Sequence, residues 1–437
     1  MEEKHIVALE IGSSRIRAAL GRIDDGTLTV VSVDQENLVD GVRHGMIRNV
    51  EKVAAAIGRL LDKINARVAP RYVTSVYVAV GGRSVCAFES RVERQLPEEM
   101  EITEGLVKEL KLEALAKAPA DRDVLAVTPK LFTLDRIATL HPVGEFGRSL
   151  TACFNLICCQ NKLQKNIERA ICEKLELTIN DYVIRQTAEA DFVISPDEKR
   201  LGCMFVDFGA ETTAVSIYRQ GAMQYLATIP MGSRLITRDL MWLNNLEEGA
   251  ESLKIRGGNA KPQGAEAVDK SSGVDFTEIN RYVSARATEI ILNIKEQLRM
   301  ADCTTQELAS GIIIVGGGAR LAGFNERLQQ LTGMKVRSGM PNVPIRISDS
   351  RISPDQMIDV IAVLSDVAHG HSLECLSRMP EPEPEVTLEE PVFEPDPKRE
   401  AKHGKRRGFF SSIHEKMARF LADPEEEEEN DELRDDD

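Results

Sequence analysis

Three short segments of the chain bring an apolar run to a stop at glycines mixed with hydroxyl or acidic side chains: VALEIGSSRIRAAL (7–20), GCMFVDFGAETTAVSIY (202–218) and GIIIVGGGARLAGF (311–324). A glycine after a buried strand marks a positive φ or a close backbone approach, which packing alone often demands. Packing does not demand what surrounds these glycines. Gly12 with Ser13 and Ser14, and Gly209 with Thr212, stand between paired β-runs, where free backbone N–H groups and hydroxyls suit phosphate oxygens. Gly316, Gly317 and Gly318 precede a helical pattern, and bare backbone there lets a flat ring lie close. These residue types point to the holding of a nucleotide, with phosphates on the first two turns and the base on the third.

The elements that must carry these turns are legible in outline. Residues 5–33 read as a β-meander, 49–68 as an amphipathic helix, and TSVYVAVGG (74–82) as a strand stopped by two glycines. From 83 to 163 one charged helix (103–117) lies among β-type segments, which suits a small inserted α+β domain. A helix is expected over 162–175, followed by DYVIRQTAEADFVI and the second turn. Residues 225–300 become helical towards their end, with a loop-like composition over 256–273 and an amphipathic pattern over 287–300. GIIIV returns to the sheet, and 353–371 reads as a final packing helix.

The 437 residues exceed the size at which one core stops growing, so two or more domains are expected. With 42% hydrophobic and 29% charged residues, the chain has ample material for an α/β core. A net charge of −15 argues against general nucleic-acid binding. The start, MEEKHIVALEIG, lacks a basic stretch leading into an apolar one, and no window of about eighteen apolar residues occurs, so a cytoplasmic protein is expected. Most of the eight cysteines lie in apolar runs without Cys-x-x-Cys spacing, as buried free thiols do. His369 and His371 read as surface residues.

Beyond Pro380 the pattern changes. PEPEPEVTLEEPVFEPDPK alternates proline and acid with no core-forming period, and as polyproline II the stretch 378–408 would reach on the order of 90 Å. Wound as a helix, 409–421 places Phe409, Phe410, Ile413, Met417, Phe420 and Leu421 in an arc of about 120°. Lys416 and Arg419 flank the arc, and Lys405, Arg406 and Arg407 precede it. Such a helix docks on a protein surface or lies in a membrane interface. The long tether favours the membrane, because a helix that packs on its own domain needs none.

In order and spacing, the three glycine turns resemble the phosphate and adenosine motifs of the actin-like ATPases. Two further stretches narrow the resemblance. IPMGSRLITRDLMWLNNLEEGAESLKIRGGNA (229–260), with its Ala-Glu-x-x-Lys, and LHPVGEFGRSLTACFNLI (140–157) are similar to segments of the FtsA family of bacterial division proteins. The resemblance implies an α/β, actin-like (ribonuclease H-like) two-lobed ATPase with a small α+β domain inserted in the first lobe, a disordered linker and a C-terminal amphipathic helix. The first lobe would comprise 1–82, 164–200 and 345–377, and the insertion 83–163. The second would comprise 201–227 and 306–344, with a subdomain at 228–305. A linker would span 378–404, a membrane helix 405–423 and an acidic tail 424–437.

By the same resemblance, Gly12, Ser13, Ser14 and Arg15 would attend the β- and γ-phosphates of ATP, and Asp207, Gly209 and Thr212 would form the second phosphate loop. Gly316 to Gly318 would face adenosine, with Arg286 and Glu289 bordering the adenine. Gln186 would position the attacking water, unless it is a solvated residue at a strand end. Glu10 and Asp207 would hold Mg²⁺ through water. Implied partners are the FtsZ C-terminal peptide on 228–305, further copies in a head-to-tail filament, anionic inner-membrane lipids and later divisome proteins, with no nucleic acid. The implied place is the cytoplasmic face of the inner membrane at the division septum. Two departures stand out. Glu10 replaces the usual Asp, and Ala210 and Glu211 replace glycines, which narrows the second loop and adds charge beside the phosphates unless Glu211 points away. Weak or slow ATP hydrolysis is expected. The alternatives are an actin-like adaptor of type IV pilus assembly and a small-molecule kinase of the same fold.

Overall fold

The computed structural model describes residues 3–243, 246–261, 276–370 and 372–378. The membrane helix expected at 405–423, the acidic tail and all of the linker except Arg378 lie outside the described residues. Among the described residues no helix is long and apolar enough to cross a membrane.

The chain opens with an antiparallel meander of β1 (Lys4–Ile11), β2 (Arg15–Asp24) and β3 (Thr27–Asn37). Helix α1 (Val50–Val68) is capped by Asn49, whose side chain accepts the Lys52 N–H at 2.9 Å. It buries Val53, Ile57, Leu60, Leu61 and Ile64, an i, i+4 stripe that lies on the sheet. Strand β4 (Ser75–Val80) then pairs parallel to β1. The insertion follows as β5 (Cys86–Glu101), α2 (Glu104–Leu115), β6 (Arg122–Leu134) and β7 (Phe146–Gln160). Its antiparallel sheet has its own core of Val92, Ile102, Leu110, Leu150 and an edge-to-face pair, Phe132 and Phe154.

Helix α3 (Asn161–Glu168) begins the segment expected over 162–175, but Arg169–Glu173 continues it as a π-turn, which holds adjacent Ala170 and Ile171 both in the core. Strand β8 (Thr178–Ile184) runs parallel to β4, and helix α4 (Arg185–Val193) starts at its last residue.

A second meander, β9 (Cys203–Phe208), β10 (Thr213–Arg219) and β11 (Ala222–Ile229), leads into α5 (Arg234–Met241), α6 (Glu247–Gly257) and α7 (Phe276–Met300). Strand β12 (Ile312–Val315) pairs parallel to β9. After α8 (Phe324–Thr332), β13 (Val336–Ser338) pairs parallel to β12. Helix α9 (Ile358–His369), apolar on most sides, is buried against the first sheet. Arg378, the expected first linker residue, still pairs with Arg71 in a short ladder.

The two sheets run β8-β4-β1-β2-β3, with the short strand Arg346–Ile347 added parallel to β3 at its edge, and β13-β12-β9-β10-β11. This is one wiring used twice, as an actin-like two-lobed body requires. In each, the meander's first strand has an antiparallel partner on one side and a parallel one on the other. Ligands of open α/β sheets gather outside the carboxyl ends of strands at such a switch. Here those ends are Ile11 and Phe208, and the glycine turns follow directly.

The stretch 229–260 owes its pattern to a buried clasp between α5 and α6. The Lys254 ammonium donates to Glu251 at 2.7 Å, the Thr237 hydroxyl at 3.0 Å and the Ser233 carbonyl at 3.3 Å. Burial pushes the ammonium below its ordinary value, and Glu251 opposes the shift. Lys254→Met strips these acceptors of their donor and is expected to cost about 1–3 kcal/mol. Urea denaturation checks this, and an unchanged midpoint would show that the clasp adds nothing.

Candidate functional site

The two hairpin turns are built alike. In each, the glycine N–H donates to the carbonyl three residues on, Gly12 to Arg15 at 3.0 Å and Gly209 to Thr212 at 2.9 Å. A Cβ on Gly12 would lie 2.8 Å from that carbonyl and 3.2 Å from both Glu10 carboxylate oxygens. The third turn packs on the root of the second. Gly316 lies so close to Phe208 and Asp207 that a Cβ would sit 2.4 Å from the Phe208 carbonyl and 2.6 Å from the Asp207 carboxylate. Gly318 abuts the Phe208 ring, which stacks on Phe324. A Cβ on Gly317 would meet nothing within 4 Å, so this glycine leaves open surface.

Strand parity aims the carboxylates. Along β9, Met204, Val206 and Phe208 enter the second lobe's core, while Cys203 and Phe205 enter the core shared with the first lobe. Period two puts Asp207 on the latter face. There it meets Arg185, whose guanidinium donates to Asp207 at 2.5 Å and to Glu10 at 2.8 Å. Glu189, one helical turn on, approaches the same guanidinium at 3.6 Å. Only 3%, 4% and 1% of Glu10, Asp207 and Glu189 is exposed, so one cation serves three buried carboxyl groups. Burial opposes the charge on Arg185, but Asp207, Glu189 and Glu10 outweigh it and hold the guanidinium's pKa above its ordinary value. Burial, then the charge of Asp207, raises the Glu189 carboxyl well above the usual carboxylate range.

Glu211 is held among cations rather than left free in its loop. Its carboxylate accepts from Arg234 at 3.0 Å, Arg238 at 3.5 Å and the His44 backbone N–H at 2.7 Å. The concern that it adds negative charge beside phosphates is therefore corrected: two arginines neutralise it. His44 belongs to the short hairpin Val42–Ile47, and the neighbouring Gly45 N–H donates to the Ser13 hydroxyl at 3.3 Å. One hairpin thus touches both glycine turns. Ala210 is held from behind, since the Arg234 N–H donates to its carbonyl at 2.7 Å and Gly232 leaves no room for a Cβ against it.

The structure brings Glu10, Gly12, Asp207, Gly209 and Gly316 into one place. The Ser14 carbonyl accepts from Leu38, Thr212 is buried, and Arg15 reaches along β3 to Gln35. Gln186 lies in the first turn of α4, 4% exposed, with its amide donating to Ser216 at 3.4 Å. The reading of it as a solvated strand-end residue is thereby corrected. Arg286 forms a fork with Asp239 at 2.7 and 3.0 Å and pairs with Glu289. Its helix, α7, bonds to α8 beyond the glycine triplet through Thr288 and Arg327. All eight cysteines are free, five of them buried and Cys172 exposed.

Arg185, Glu189 and the His44 hairpin were not singled out in the sequence. A signal existed for the first two: an Arg and a Glu spaced i, i+4 directly after an apolar strand. The donor set does not fit the Mg²⁺ expected on Glu10 and Asp207, since a permanently charged guanidinium already bonds one oxygen of each carboxylate and would stand beside the ion. Among the described residues no group of three or more His, Cys, Asp or Glu is placed to hold a metal ion.

The model of the family "Cell division protein FtsA" matches residues 204–358, and that of the "SHS2 domain inserted in FTSA" matches 82–158, the stretch of β5 to β7. The cell division protein FtsA of Porphyromonas gingivalis is 31% identical over 365 residues, covering 81% of this chain and 74% of that protein. That of Escherichia coli is 26% identical over 364 residues, covering 78% and 85%. Among solved structures, a chain of the PilM-PilN type IV pilus biogenesis complex shares the fold with a TM-score of 0.59 at 15% identity, over 83% of this chain and 97% of that one. With both family models matching in their expected places and a relative at 31% identity over most of its length, the chain belongs to the FtsA family of cell division proteins.

Proposed function

We propose that this chain binds an adenine nucleotide between its lobes, polymerises head to tail and tethers FtsZ to the cytoplasmic face of the cell membrane at the septum. The observation that carries the nucleotide reading is the convergence of two like-built glycine hairpins and an open third glycine around Glu10 and Asp207. Family membership supports the division role over the pilus-adaptor and kinase alternatives. In this reading residues 228–305 take the FtsZ C-terminal peptide. That region exposes Trp242, Leu246 and Ile255, apolar side chains which a partner can cover. Later divisome proteins would be recruited by the assembled polymer.

Attachment to the membrane is assigned to 405–423 on its sequence pattern. Each cation near an anionic surface adds about 1 kcal/mol, and the acidic residues after Pro424 oppose this within a Debye length of about 8 Å. The apolar arc must therefore supply much of the affinity. Full-length protein is expected to float with anionic vesicles and to carry an FtsZ tail peptide with it. Phe410→Glu combined with Phe420→Glu should leave the protein in the pellet while it still binds the peptide. If the double variant floats as the wild type does, the helix is not the anchor.

A further inference from the structure

We infer that the Arg185 guanidinium takes the place of the divalent cation in the nucleotide site, so that this chain holds adenine nucleotide without a metal ion. The inference rests on the nucleotide reading above and deepens it.

Position comes first. A cation shared by two phosphate turns must sit between the strand ends that carry them. Arg185 does, bonding Glu10 two residues before Gly12 and Asp207 two residues before Gly209. It links the lobes through the carboxylates that a hydrated metal would otherwise use.

Donor capacity comes second. A guanidinium carries five N–H bonds in one plane. One goes to Glu10 and one to Asp207, while Nε lies 3.6 Å from Glu189, beyond hydrogen-bond length. Nε is buried without a partner, and the second N–H of each terminal nitrogen suits phosphate oxygens, which arginine recognises through paired N–H bonds.

Retention comes third. Mg²⁺ needs near-octahedral oxygens at about 2.0–2.1 Å and keeps several waters. Seating it on Glu10 and Asp207 would set a dication against a guanidinium that cannot lose its proton. Driving Arg185 out would strand Glu189, which is 1% exposed and whose second oxygen already lacks a hydrogen-bond partner. Glu10 faces Arg17 across the β1–β2 ladder, and Arg17 is itself buried and paired with Asp359. Glu10 thus has cations on two sides.

The test is calorimetric titration of the full-length chain with ATP and with ADP, once in Mg²⁺ and once in excess EDTA. The wild type is expected to bind at least as tightly in EDTA as in Mg²⁺, because a site that holds the nucleotide without a metal must first strip Mg²⁺ from it. Arg185→Gln combined with Glu189→Gln removes one cation and one acid together. It should lose about tenfold or more in EDTA and recover in Mg²⁺. Mn²⁺ titrated into the wild-type ADP complex should give the paramagnetic resonance spectrum of free ion. A wild type that loses tenfold or more in EDTA, or that captures Mn²⁺, overturns the inference and leaves the nucleotide reading standing. No heat with either nucleotide in either buffer overturns both. Should the double variant fail to fold, the wild-type arms decide alone.

Discussion

Arg185→Met is expected to destabilise the two-lobed body by about 3–5 kcal/mol, since it removes the one cation shared by three buried carboxyl groups. Methionine fills much of the volume, so the loss reports on charge rather than on a cavity. Glu189 sets the contrast. Its pKa in the fold lies above its ordinary 4.5, so the folded chain keeps a proton that the unfolded chain releases. Stability is then lost as pH rises from about 4.5 through the folded value. Glu189→Gln removes that slope, and its advantage over the wild type should be absent at about pH 4 and present at about pH 8. Thermal unfolding of both variants across this range checks the pair. A mild Arg185→Met phenotype would mean that Arg17 or solvent neutralises the cluster. A Glu189→Gln advantage independent of pH would mean that the carboxyl group is not strained.

The glycine turns were legible because their chemistry is local. A hydroxyl-rich turn between two β-runs announces itself within a dozen residues, and Gly12, Gly209 and Gly316 each follow directly on the end of a strand. The inserted domain was legible for the same reason, as a change of texture after Gly82. Arg185 was not, because its role depends on β8 lying two strands away from β1 in the sheet, and strand order follows from pairings between distant segments. Its neighbour Gln186, named from the sequence as the residue that would position water, points about 100° further round the helix and bonds Ser216. Glu211 shows the same limit. Charge alone suggested repulsion near phosphate, whereas its arginines come from α5 and its backbone donor from a hairpin in the other lobe. Glu10 and Glu211 each accept from an arginine, Glu10 from Arg185 and Glu211 from Arg234 and Arg238. Local chemistry marks the turns, and tertiary contacts decide what stands between them.

The third turn separates binding from folding most sharply. Gly316 takes φ 93° and ψ 162°, a region that residues with a side chain essentially do not enter. Its missing Cβ would also press on the Phe208 carbonyl at 2.4 Å, which belongs to rigid backbone and cannot swing aside. Strain and overpacking together are expected to cost about 3–5 kcal/mol in Gly316→Ala, seen as a large drop in melting temperature. Gly317 is next in the chain and opposite in consequence. It begins the short helical turn Gly317–Arg320, its φ lies outside the left-handed region, and a Cβ there meets nothing. Gly317→Ala should therefore fold as the wild type does or gain up to about 1 kcal/mol. If adenosine lies on this turn, that open surface is what it lies on, and a branched side chain takes its room. Gly317→Val is expected to keep the wild-type melting temperature while losing about tenfold or more in ATP affinity, with Gly317→Ala between the two. Gly317→Val binding as tightly as the wild type would place the base elsewhere, and a melting temperature that falls with affinity would show that the turn serves the fold alone.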